Sequence, residues 1–178
     1  MFQLFKRKLR DAQTLARLCT LAEDLAHQQG RSKPGSEHFI LAALALPDQT
    51  AAQAFASLGL TEQQFQDALA AQRSDALASV GISTTAVEVT NLPSALPLPK
   101  SALYETEPSG KSLVKRLAET RKTRTARFLL SADVLLAAAQ ENYTPSTRAF
   151  QKLGISPDQL VEAAQRSVNN LDSCSQMN

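Results

Sequence analysis

Glu37 and His38 stand side by side at the head of an apolar run, "GSEHFILAALALPD", from Gly35 to Asp48. A carboxylate next to an imidazole is the pairing from which general acid–base catalysis and nucleophile activation are built. Both chemistries need a further partner. The only other histidine is His27, which lacks two-histidine metal spacing to His38, and no cysteine accompanies either ring. Adjacent residues on a helix also point about 100° apart, so neither side chain readily orients the other. A second candidate, "SGKS" from Ser109 to Ser112, suggests a phosphate loop. That loop needs a glycine five residues before its Gly-Lys pair, where this chain has Glu105, and a preceding apolar strand, where it has "ALYETEP". Nucleotide binding is therefore not expected, nor is a cofactor.

The elements that must position these residues are helical. Alanine, leucine and glutamine abound, glycine numbers six and aromatic residues make up 5%, a balance that favours helix over strand. Leu15, Leu18, Ala22, Leu25 and Ala26 recur at helical steps and stop at Gly30 within "GRSKPG". A second helix is predicted from Ser36, which is placed to cap it, with Glu37 in the first turn where a carboxylate meets the positive helix end. A third covers about 49–58, Gly59 ends it, and Thr61 caps a fourth.

Shifted by 95 residues, the pattern returns. "SEHFILAALALPDQTAAQAFASLGLTEQQFQDAL" from Ser36 lies over "SADVLLAAAQENYTPSTRAFQKLGISPDQLVEAA" from Ser131 without a gap. Phe55 meets Phe150, Leu58 meets Leu153, Gly59 meets Gly154 and Gln64 meets Gln159. An unbroken register through two helix ends marks an internal repeat. The predicted fold is all-α: two tandem pseudo-symmetric four-helix repeats, about eight helices, packed as one domain over 1–168. Repeat 1 spans about 9–73, a linker 74–106, and repeat 2 about 107–168, opening at Glu107-Pro108; 169–178 is expected to be a disordered tail.

These residues resemble the N-terminal domain of the Clp/Hsp100 unfoldase chaperones. Gly30, Gly35, Ser36, Glu37, His38 and the apolar residues after them match that family's repeat signature, together with the Leu-Gly-[Leu/Ile]-[Thr/Ser] junctions, and the likeness runs from about Leu9 to Val168. The resemblance implies a protein-binding module that engages a Clp-type unfoldase, an adaptor or unfolded clients, standing alone without ATPase modules or cut from a longer unfoldase. Two departures are visible: Ser131-Ala132-Asp133 replaces Ser/Thr-Glu-His in the second unit, and the family's early Phe-Thr pair falls on Asp11-Ala12. Of the apparatus with which some relatives bind phosphoarginine, only Glu37 is matched. Because Ala132-Asp133 occupy the matching positions, Glu37 and His38 read as surplus to folding and as candidates for partner contact.

Charge supplies the competing reading. The chain carries 19 Lys and Arg against 17 Asp and Glu, a net +2, with the positive excess in its second half. Lys111, Lys115, Arg116, Arg121, Lys122, Arg124 and Arg127 lie within 111–127 beside a single acid, Glu119. Arg121, Lys122 and Arg124 are therefore partner-binding candidates as well, for an acidic protein or nucleic acid, although no nucleic-acid motif surrounds them. Cys19 and Cys174 form no CxxC and predict no disulfide framework. "MFQLFKRKL" lacks the apolar core of a secretory signal, and no run approaches a membrane span, so a reducing cytoplasmic location is expected. Its first residues read as an extension of helix one packed on the domain.

Overall fold

A computed structural model describes the backbone of residues 2–79, 105–123 and 128–176, and side chains over 6–79, 105–121 and 128–171. Among these residues there are eight helices and no strand. They are α1 (Phe2–Gln28), α2 (Ser36–Leu44), α3 (Thr50–Ser57), α4 (Glu62–Ser79), α5 (Pro108–Thr123), α6 (Ser131–Ala139), α7 (Pro145–Lys152) and α8 (Pro157–Gln176). The bounds of α6 and α7 are those of α2 and α3 moved by 95 residues, from Ser36 to Ser131 and from Thr50 to Pro145.

The helices begin and end where local chemistry dictates. Gly59 and Gly154 adopt φ of 68° and 74°, a left-handed conformation that costs a glycine nothing. That turn lets the Leu60 N–H reach Phe55 O and the Ile155 N–H reach Phe150 O, both at 2.9 Å, so α3 and α7 end in matching Schellman motifs. Thr61 then caps α4: its Oγ1 accepts from the Gln64 N–H at 3.2 Å, while Gln64 Oε1 accepts from the Thr61 N–H at 2.8 Å. Ser156 and Gln159 repeat both bonds at the head of α8. Gln64 and Gln159 coincide in the repeat for this reason.

The sequences of α2 and α6 are apolar on nearly every side, and both helices are buried from their first residue to the eighth. They pack against each other, with α1 laid on α2 and α5 on α6. The remaining helices cross over: α3 packs on α8, and α4 on α7. At that crossing Phe55, Phe65 and Phe150 meet with ring centroids 4.8 to 6.0 Å apart, two of the three pairs edge to face.

Several boundaries differ from expectation. The linker expected from 74 starts later, because α4 runs unbroken to Ser79, tied down by Arg73 to Gln29 and by Lys152 to Asp75. The tail expected to be disordered from 169 is helical through Gln176, since Val168 is buried and Leu171 still packs on the core. The rest of the linker, 80–104, lies outside the described residues. Helix α1 does extend to Phe2, but its Leu9 is 52% exposed, so this end is not docked through that residue.

Candidate functional site

The site begins at the start of α2. Gly35, extended at φ −99°, is the N-cap, and Ser36 is the first helical residue. Ser36 is therefore not the cap, and neither is Ser131, because Leu130 holds that place before α6. The cap interaction comes from the third helical residue instead. His38 Nδ1 accepts from the Gly35 N–H at 2.9 Å, and Asp133 Oδ2 accepts from the Leu130 N–H at 2.9 Å. An imidazole and a carboxylate do one job at matching positions of the repeat.

That job fixes the state of the ring. An accepting Nδ1 carries no proton, so His38 is neutral with its hydrogen on Nε2. Burial above all, reinforced by the positive charges of Arg31 and Arg73, lowers its pKa from 6.5 to about 4. Glu37 Oε1 lies 3.8 Å from Nδ1, too far for a hydrogen bond, and Glu37 Oε2 and His38 Nε2 have no hydrogen-bond partner. The geometry supports no proton relay between them. With Glu37 1% and His38 0% exposed, neither presents a surface to a partner. Their reading as surplus contact residues is corrected: His38 holds a helix start, and Glu37 lies folded back against Gly35.

The shared serines do something else. Ser36 Oγ lies 2.9 Å from Ser146 Oγ at the head of α7. Ser131 Oγ accepts from the Ala51 N–H at 2.9 Å at the head of α3, lies 3.0 Å from Thr50 Oγ1 and donates to Asp48 Oδ2 at 2.9 Å. Asp48 Oδ2 also accepts from the Ser131 N–H at 2.8 Å and from Thr50 Oγ1 at 2.6 Å. Each serine thus joins its own repeat to the start of a helix in the other. Asp48, Thr50 and Ser146 complete these clasps and were not singled out from sequence. The available signal was that Ser146 falls on Ala51 in the alignment that pairs Ser36 with Ser131.

Of the basic candidates, Arg121 is an internal bracket. Its guanidinium holds Asp11 at 2.9 and 3.0 Å, and Asp11 Oδ1 accepts the Leu129 N–H at 2.7 Å. The Lys122 side chain and Arg124 lie outside the described residues. A buried carboxylate stands nearby in sequence: Glu141 is 2% exposed, like Leu46 at the matching position of the first repeat. Burial raises its pKa, which the Ser112 hydroxyl and the Arg116 charge offset in part, and neither of its oxygens has a hydrogen-bond partner in good geometry.

On the outside, α1, the turn at 46–48 and the segment 128–130 enclose a groove of about 330 Å³. Its lining includes the exposed Pro47, Arg10 and Arg17 and the half-buried Phe128, with Leu46 and Leu130 nearly buried beneath them. Among the described residues no group of His, Cys, Asp and Glu could hold a metal ion, and no helix is long and apolar enough to cross a membrane. No protein-family model matches the chain, and no curated protein matches it.

Proposed function

We propose that this chain is a non-enzymatic protein-binding module like the substrate- and adaptor-binding N-domain of the Clp unfoldases, acting in the cytoplasm in chaperone or regulated-proteolysis work. The observation that carries this reading is the placement of its reactive types. Of the pair that looked fit for chemistry, His38 is spent inside on holding a helix start and Glu37 is buried beside it, while the outside offers a groove lined by Pro47, Arg10 and Arg17. Two interlocked helical repeats with Gly-Ser-Glu-His at one helix start and Leu-Gly junctions at both supply the likeness in sequence.

The alternative reading, a nucleic-acid or acidic-protein face over 111–127, is less favoured because Arg121 is taken up by Asp11. The leading reading is tested by immobilising the intact protein and identifying what it retains from its own cell extract, alongside a purified, chemically unfolded protein and its folded form. Retention of a Clp-type ATPase, of an adaptor, or of the unfolded over the folded protein is expected. Recovery of none of these sinks it.

A further inference from the structure

We propose that the groove along α1 docks an extended acidic segment of a partner protein, one that alternates carboxylate with apolar side chains. The carboxylates would meet Arg10 and Arg17, and the apolar side chains would meet the exposed Pro47, which stands above the nearly buried Leu46 and Leu130. This deepens the protein-binding reading and rests on it.

Three observations converge. Arg10 and Arg17 are seven residues apart on α1, two helical turns, so both line the groove from one helix face with backbone positions about 10 Å apart. Acids at alternate positions of an extended chain fall about 7 Å apart on one side, within reach of two long arginine side chains, while the residue between them points the other way. Arg10 is held over the Phe128 ring, 4.2 Å from its centroid, and has no ion pair among the described residues. Arg17 has no ion pair among the described residues and is exposed.

Of the acids close by, Asp11 is engaged by Arg121 and Leu129, and Asp48, which lines the groove, is held in place by three hydrogen bonds from Ser131 and Thr50 to its Oδ2. The fold does not ask for this positive rim. Ninety-five residues on from Arg10 and Arg17 stand Glu105 and Ser112, so neither arginine is repeated in the second unit. Exposed Lys6 and Lys8, on the turns of α1 before the groove, extend the positive field toward it.

The test is an NMR titration of the intact ¹⁵N-labelled protein with a short blocked peptide alternating leucine and glutamate, repeated with its leucine–glutamine counterpart and with a short DNA duplex. Shifts are expected at residues 10–17, 46–48 and 128–130, with binding weakened about tenfold or more by the glutamine peptide, by R10E/R17E, or by raised salt. The double variant should keep its helix content and recover binding to a leucine–lysine peptide. Equal binding of the glutamine peptide at these residues overturns the charge assignment but leaves a protein-binding module standing. Shifts confined to other residues overturn the groove assignment, and tighter binding of the duplex there assigns the groove to nucleic acid instead. If neither peptide binds while the extract experiment recovers a partner, this inference fails alone.

Discussion

Ser36 Oγ and Ser146 Oγ lie 2.9 Å apart although 110 residues separate them in the chain, and both residues are fully buried. The contact ties the head of α2 to the head of α7, and Ser131 ties α6 to α3 in the same way through more bonds. A hydroxyl pair enclosed in protein is satisfied only while both helix starts stay in place, so these clasps report the docking of one repeat on the other.

The two clasps should differ in strength. Ser36→Ala is expected to cost about 0.5–1.5 kcal/mol, because it removes one neutral hydrogen bond and Thr144 can still partner Ser146. Ser131→Ala leaves the Ala51 N–H and part of Asp48 unsatisfied and should cost roughly 1–3 kcal/mol. Urea unfolding at unchanged m-value measures both, and equal losses would contradict the asymmetry.

His38 gives the fold a pH dependence whose sign is fixed. Its folded pKa is depressed to about 4 from 6.5, so the unfolded chain binds the extra proton between those values. Its contribution is complete above about pH 6.5 and is lost as pH falls toward 4, a change on the order of 2–3 kcal/mol. His38→Asn keeps an acceptor at the third helical position and should flatten this part of the curve; stability that still falls alike in variant and wild type would rule it out.

Glu141 runs the other way. Its raised pKa means that its contribution is present at low pH and is lost as pH rises through the folded value. Glu141→Leu, which copies Leu46 of the first repeat, is expected to raise stability by about 1–3 kcal/mol near neutral pH and by less in acid. Thermal unfolding at two pH values reads the difference, and a destabilised variant would show that the carboxylate has a stabilising partner.

At Gly110, α5 comes close to the segment before α2. A Cβ there would stand 2.8 Å from Pro34 O and 3.1 Å from the Phe39 ring, and the first is a backbone atom that cannot swing away. Gly110→Ala should therefore destabilise by roughly 1–3 kcal/mol, despite the better helix propensity of alanine. Calorimetry showing an unchanged or raised midpoint would overturn this.

What could be read from the chain before its structure follows local rules. The start of α2, the span of α3, its end at Gly59 and the Thr61 cap all depend on residues within a few positions of each other, whereas α2 stops at Leu44, short of the expected Pro47-Asp48. What was missed depends on distance or on chemistry hidden by residue type. A serine at a helix start suits a cap as well as a clasp, and only the arrival of Ser146 or Ala51 decides between them. His38 and Asp133 share no side-chain chemistry except an acceptor atom, so their common task was invisible in the alignment. The groove is built from three stretches that no periodicity links. The two ends extended too short, at 74 and 169, fail for a simpler reason: polar residues with good helix propensity continue a helix once one turn of it is docked.

The crossing of α3 onto α8 and of α4 onto α7 makes each repeat's last helices the lid of the other. Neither half owns a finished interior. Cut between Ser79 and Glu105, the chain should yield two fragments that are poorly folded apart yet reassemble on mixing, which makes it a natural split reporter. By the same logic, two crowded copies could trade halves and keep every contact described.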